Sequence, residues 1–239
     1  KLEKDGIVFI NDIQEASGKT IIRAHGVDKN VYTKAKERNI ELVDLTCPNV
    51  LKIHDVVEKF SDKGYYIFLI GKKEHPEIIG TYSFAGENCT IISNKEEVEM
   101  AIKNLEKSKL NKLLIISQTT YNLQVFNEIS EKVKKELENK DIYIEVKNTI
   151  CYATELRQKE TEKISKEVDA MIIVGGKNSS NTTKLYDISK KNCQNVIFVQ
   201  NADELDVQKV KDLKKVGIMA GASTPQKSVE EIIEKLGGK

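Results

Sequence analysis

Four sets of residues in this sequence have types and spacings that do chemistry. Cys47 in Thr46-Cys47-Pro48 and Cys151 in Ile150-Cys151-Tyr152 stand at the starts of predicted helices, where the helix dipole favours an anionic sulfur able to ligate a metal or act as a nucleophile. His75 and Glu77 lie two apart in one loop; imidazole holds an anionic group, and a desolvated carboxyl delivers a proton near neutrality. Ser179, Ser180 and Asn181 sit in a run of small donors from Gly175 to Thr183 that opens a helix, the usual chemistry for cradling phosphate. The run is not a Walker P-loop, because the G-x-x-x-x-G-K-[ST] order is absent. Thr119 and Ser223 add hydroxyls in Gln118-Thr119-Thr120 and Gly221–Pro225. Taken singly, each has an ordinary explanation: a small thiol at a helix start, a solvated turn, a helix cap.

Spacing changes that balance. Cys47 precedes Gly71 by 24 residues, and Cys151 precedes Gly175 by 24. Cys89 and Cys193 each follow by 42, and Thr119 and Ser223 by 72. Two units of about 104 residues therefore share one plan, which places His75 on Ser179, Glu77 on Asn181 and Thr119 on Ser223. The apolar run before His25 resembles the end of a third, earlier unit whose beginning would lie before Lys1. A cysteine there would complete three thiols from three equivalent units. Widely spaced soft thiolates without histidine partners suit an iron–sulfur cluster better than zinc.

The elements that must position these groups are short β-branched runs alternating with amphipathic helices. Strands are predicted at 6–10, 20–24, 41–45, 65–70, 90–93, 112–117, 142–146, 170–174, 196–199 and 216–220, with a helix over 50–60 marked by apolar residues at i, i+3 and i+4. Such alternation predicts an α/β fold of parallel sheets, here three similar αβα units in a pseudo-threefold arrangement with the first one truncated. The units are expected at 1–46, 47–147 and 148–239. In open parallel sheets ligands gather at the carboxyl ends of the strands, and Cys47, His75, Glu77, Thr119 and their repeat partners all follow strands. Cys89 and Cys193 precede strands, so they are expected to be structural thiols. His54, at the Ile53/Val57 spacing of its helix, reads as a packing or surface residue. The lysine-rich stretches 103–112 and 132–140 read as solvated helical faces.

Lys+Arg 38 against Asp+Glu 37 leaves a net charge of +1, which offers nothing to nucleic acid or an anionic membrane. No apolar run approaches the roughly 18 residues of a spanning helix, and four isolated cysteines among 239 residues fit a reducing compartment better than a disulfide framework.

Together the stretches AHGV (24–27), DLTCPNVLKIH (44–54), HPEIIGT (75–81), QTT (118–120), TICYAT (149–154), GGKNSSNTTKL (175–185) and AGASTP (220–225) resemble, in order, the 4-hydroxy-3-methylbut-2-enyl diphosphate reductase family of LytB type. That resemblance implies a [4Fe-4S] cluster held by Cys47 and Cys151, its third cysteine upstream of Lys1. It implies Glu77 as proton source, with Thr119 ordering the proton path. His25, His75, Ser179, Ser180, Asn181 and Ser223 are implied to bind the diphosphate. The implied reaction is a reductive dehydroxylation giving isopentenyl and dimethylallyl diphosphates, in the cytoplasm or a plastid. It needs an external donor such as ferredoxin or flavodoxin, since no G-x-G-x-x-G fingerprint is present. The family's first cysteine and first active-site histidine have no counterpart after Lys1, so the chain as it stands is expected to be inactive. Two alternatives stay open: another three-unit iron–sulfur dehydratase resembling quinolinate synthase, or a non-enzymatic phosphate-ligand module.

Overall fold

The computed structural model describes residues 2–237. Among them nine strands, every pairing parallel, alternate with eight α-helices. The chain divides into two compact units, one running to Thr119 and taking in Gln124–Thr149, the other built from Thr120–Leu123 and the chain from Ile150 onward.

The first unit holds two sheets. Strands β1 (Lys19–Ile22) and β2 (Glu41–Asp44) pair with each other, and α1 (Lys29–Glu37) connects them. Strands β3 (Tyr66–Ile70), β4 (Cys89–Ile92), β5 (Lys112–Ser117) and β6 (Tyr143–Lys147) form a second sheet in the order β4-β3-β5-β6. Helices α2 (Pro48–Asp62), α3 (Pro76–Phe84), α4 (Val98–Ser108) and α5 (Leu123–Glu136) supply the crossovers. The second unit has α6 (Tyr152–Ser165), β7 (Ala170–Val174), α7 (Ser180–Asn192), β8 (Asn195–Val199), β9 (Val216–Ala220) and α8 (Gln226–Lys235), its sheet ordered β8-β7-β9. The repeat read from the cysteines is thus a repeat of topology. Central strands β3 and β7 are each flanked by the next two strands, and β1 pairs with β2 as β5 pairs with β6.

Central strands need continuous apolar sequence because helices cover both faces. Every residue of β3 and β7 is buried. Alternate residues of β7 serve opposite cores: Ile172 and Val174 pack with Ile232 of α8, Met171 and Ile173 with Leu185 of α7. In the first unit Ile67 and Leu69 meet Ile53 and Val57 of α2 and Ile78 of α3.

Three expectations are corrected. Residues 7–10 are irregular rather than a strand: no described strand offers them a ladder, and Val8 and Phe9 are 79% and 66% exposed. The helix expected over 50–60 runs from Pro48 to Asp62, started by the proline. The lysine-rich segment 103–112 is not one helix, since Lys109 turns left-handed (φ +59°) and ends α4, and α5 stops at Glu136, short of Lys140. No helix among the described residues is long and apolar enough to cross a membrane.

Candidate active site

In the first unit four loops, each following the carboxyl end of a parallel strand, bring the predicted residues together. The turn after β1 carries His25, closed by the Gly26 N–H donating to the Arg23 carbonyl at 3.0 Å. The loop after β2 carries Cys47, whose N–H donates to the Ala24 carbonyl at 3.0 Å and so ties the thiol's backbone to the His25 turn. Asp44 holds this loop in an Asx turn, accepting from the Thr46 N–H at 2.9 Å and the Thr46 hydroxyl at 2.5 Å, and it accepts from the Tyr32 hydroxyl at 2.9 Å. Burial opposes the Asp44 charge, but these donors outweigh it and hold its carboxyl below the usual range.

After β3 the chain turns into α3 with His75 as its N-cap. The cap bond is unusual, because the imidazole Nδ1 accepts from the Glu77 N–H at 3.2 Å. Nδ1 therefore carries no proton, and Nε2–H is the ring's donor. Burial first, then His25, Lys72 and Arg23, push the proton affinity of His75 down to about 4. The His25 ring stands edge-on at 5.3 Å between centroids, its own proton affinity lowered by burial and by Arg23. Two neutral imidazoles flanked by Arg23 and Lys72 make a donor-rich setting for an anion.

Glu77 lies in the first turn of α3 and is 2% exposed. Both carboxyl oxygens go to Thr119, after β5: Oε1 accepts from its N–H and Oε2 from its hydroxyl, each at 2.6 Å. Burial raises the carboxyl's proton affinity more than these two bonds lower it. Thr119 is therefore no helix cap. A carboxyl that favours its proton, aligned with one hydroxyl, is built to hold and release a proton at a defined atom.

The second unit repeats the backbone with other side chains. Cys151 N-caps α6 with φ −60° and ψ 133°, against −55° and 132° for Cys47 at α2. Both thiols are half-buried. Gly175, after β7, has φ +145°, and a Cβ there would fall 2.7 Å from Thr224 Oγ1 and 2.9 Å from Thr182 Oγ1. That turn aims the chain into α7, N-capped by Ser179, whose hydroxyl accepts from the Thr182 N–H at 3.4 Å. Ser180 opens the helix, and Asn181 is buried with neither Nδ2 nor Oδ1 partnered among the described residues. A buried amide without partners costs free energy unless a ligand supplies them. Ser223 lies on the exposed loop after β9; it caps nothing, since α8 starts after Pro225.

Cys89 is buried at the start of β4, its thiol's proton affinity pushed up by burial, and Cys193 is buried at the end of α7. Both are packing residues. The sequence reading missed the Asp44–Thr46 turn, for which the D-x-T spacing was the available signal, and of the two readings open for His54 the structure shows packing, at 3% exposure. Among the described residues no three His, Cys, Asp or Glu gather as a metal site. The donor set nevertheless fits a cluster: Cys47 makes no side-chain cap bond to its helix, and Cys47 and Cys151 are half-buried thiols at helix starts, the donor type that holds iron–sulfur clusters.

A family model described as LytB protein matches residues 1–237. A 4-hydroxy-3-methylbut-2-enyl diphosphate reductase from Clostridioides difficile is 39% identical over 98% of this chain and 81% of its own length. The solved structure of the E-1-hydroxy-2-methyl-but-2-enyl-4-diphosphate reductase from Plasmodium falciparum superposes with a TM-score of 0.87 at 32% identity, over 99% of this chain and 73% of that one. Another, described as (E)-4-hydroxy-3-methyl-but-2-enyl diphosphate reductase, the terminal enzyme of the non-mevalonate pathway, gives 0.65 at 34% identity, over 98% and 82%.

Proposed function

The chain belongs to the LytB protein family, and from that membership we infer that it reduces 4-hydroxy-3-methylbut-2-enyl diphosphate to isopentenyl and dimethylallyl diphosphates. Membership sets aside both the quinolinate-synthase-like dehydratase and the ligand-binding module. The reaction takes up two electrons and two protons, breaks the C4–O bond, releases that oxygen as water and leaves hydrogen on carbon. The observation that carries the reading is the buried Glu77 carboxyl with both oxygens held by Thr119.

The family is an iron–sulfur family, and Cys47 and Cys151 are the residues of this chain that would hold a [4Fe-4S] cluster, which when bound supplies single electrons and a Lewis-acidic iron. The remaining work falls to side chains. His75 offers Nε2–H and His25 its ring N–H to diphosphate oxygens, with Arg23 and Lys72 alongside. Ser179, Ser180, Asn181 and Ser223 supply neutral donors from the second unit, which suits a multiply charged anion because hydroxyl and amide hydrogens stay in place at every physiological pH. Glu77 holds the proton destined for the departing oxygen, and the Thr119 hydroxyl, bonded to it, fixes where that proton is offered. Electrons come from a protein donor such as ferredoxin or flavodoxin, and we place the activity in the cytoplasm.

The test is anaerobic: full-length protein reconstituted with iron and sulfide, reduced viologen, and the hydroxylated diphosphate, with the two product diphosphates quantified. Product formation with brown absorbance that is lost in Cys47→Ser and in Cys151→Ser supports the reading. A colourless protein indifferent to both changes, giving no product, overturns it.

A further inference from the structure

One buried side chain of the first unit has no role in the scheme above. His54 of α2 is 3% exposed, yet neither ring nitrogen has a hydrogen-bond partner among the described residues. Burial lowers its proton affinity, with Asp44 and Asp55 opposing in part, so the ring is neutral. A leucine would fill such a site without leaving polar atoms unmatched. What distinguishes the imidazole is its shape: it is flat and smaller than a phenyl ring.

Its surroundings need that shape. One face stacks on Phe84 at the end of α3, 4.3 Å between centroids and 17° from parallel. Gly26 also lies against the ring, where a Cβ would fall 2.9 Å from His54 Cε1, 3.3 Å from Thr46 Cγ2 and 3.5 Å from Val50 Cγ1. Gly26 also has φ +72°, so its turn is both left-handed and seated directly on the ring. His25 immediately precedes Gly26, and the carbonyl of Ala24 receives the Cys47 N–H.

We propose that His54 is a positioning residue for anion binding: its ring, stacked on Phe84 and in contact with Gly26, sets the height of the turn that presents His25 to His75. The inference rests on the diphosphate reading of that site. A branched or larger side chain would lift the turn, and a smaller one would let it sink; either displaces His25 from the ring edge it meets.

The experiment uses full-length protein and two readouts, inorganic pyrophosphate binding by calorimetry, which needs no turnover, and KM against kcat in the anaerobic assay. His54→Ala and Gly26→Ala are each expected to raise the pyrophosphate Kd and KM roughly tenfold, as a misplaced binding group does, while kcat at saturation stays within about twofold. In the double variant the new methyl occupies space the ring has vacated, so the effects should combine to clearly less than their product. His54→Phe, which keeps an aromatic ring but overfills the gap, should raise Kd severalfold and serves in place of His54→Ala if that variant does not fold. Folded variants that bind pyrophosphate like the wild type, a fall in kcat with KM unchanged, or strictly multiplicative effects would each overturn the proposal. A wild-type protein that does not bind pyrophosphate would overturn the diphosphate reading and this inference with it.

Discussion

The caps that open α3 and α7 lie 28 residues after their respective cysteines, follow equivalent strands and start equivalent helices, yet they present different chemical groups. At α3 the cap is an imidazole and the next landmark a buried carboxyl locked to Thr119; at α7 the cap is a hydroxyl and the same landmark a buried amide with no partner among the described residues. Thr119 is buried, whereas Ser223 is exposed. The backbone plan sets where a group is presented, and the residue type decides whether that group titrates. A proton donor must be desolvated to hold its proton near neutrality, whereas an anion cradle works best with hydrogens that do not titrate.

The comparison breaks most visibly at Glu77. Glu77→Gln should reduce anaerobic turnover by roughly 10²–10⁴-fold, the usual contribution of a positioned general acid, and leave the pyrophosphate Kd unchanged. The same variant has a stability signature. Because the folded-state affinity of Glu77 for its proton is raised above the ordinary value of 4.5, its contribution to folding is full below that pH and is lost as pH rises through the raised value. The melting temperature of Glu77→Gln relative to wild type should therefore climb from pH 4.5 to 8; a difference that falls over this range contradicts the assignment.

Asn181→Leu tests the other side. With no hydrogen-bond partner to lose among the described residues, it should melt at about the wild-type temperature, while pyrophosphate binding weakens about 10- to 100-fold, as when a hydrogen bond to a charged group is removed. Strong destabilisation with unchanged affinity would mean the amide is a structural group.

Smaller effects sharpen the contrast between the caps. His75 has its proton affinity depressed from 6.5 to about 4 by burial and by neighbouring positive groups, so its stabilising contribution is present above about 6.5 and is lost as pH falls toward 4. His75→Asn keeps a cap acceptor but does not titrate, and should lose about 2–4 °C less than wild type on going from pH 7 to 5, near the shift that 1 kcal/mol gives in a chain of this size. A variant that follows the wild-type curve would assign that loss to other groups. Ser179→Ala should show the least, about 0.5 kcal/mol by denaturant melts, since its 3.4 Å cap bond is long.

The positions of most strands and the equivalence of the two loops could be read from the sequence because they leave one-dimensional traces: apolar runs, and cysteines at matching intervals. The catalytic-loop residues were marked by type and position. What could not be read was contact across the chain. Nothing in Gln118-Thr119-Thr120 distinguishes a hydroxyl that caps a helix from one that locks a carboxyl 42 residues away. His54 at an apolar helical spacing fits core and surface alike until Gly26 is seen against its ring. Residues 6–10 have strand composition but no described neighbour to pair with, and composition alone cannot supply a ladder.

Between Thr119 and Gln124 the chain leaves the first unit for four residues, where Gln158 of α6 donates to the Tyr121 carbonyl at 3.0 Å and accepts from the Leu123 N–H at 3.3 Å. Neither unit is therefore a contiguous stretch that a protease or a gene truncation could excise whole. During synthesis the segment Thr120–Leu123 leaves the ribosome well ahead of the glutamine that secures it, and the loop that follows Thr119 reaches its final seat only after α6 has been made. A stalled or prematurely ended chain would have Glu77 and Thr119 in place without that anchor, which makes completion of the second unit part of the maturation of the first.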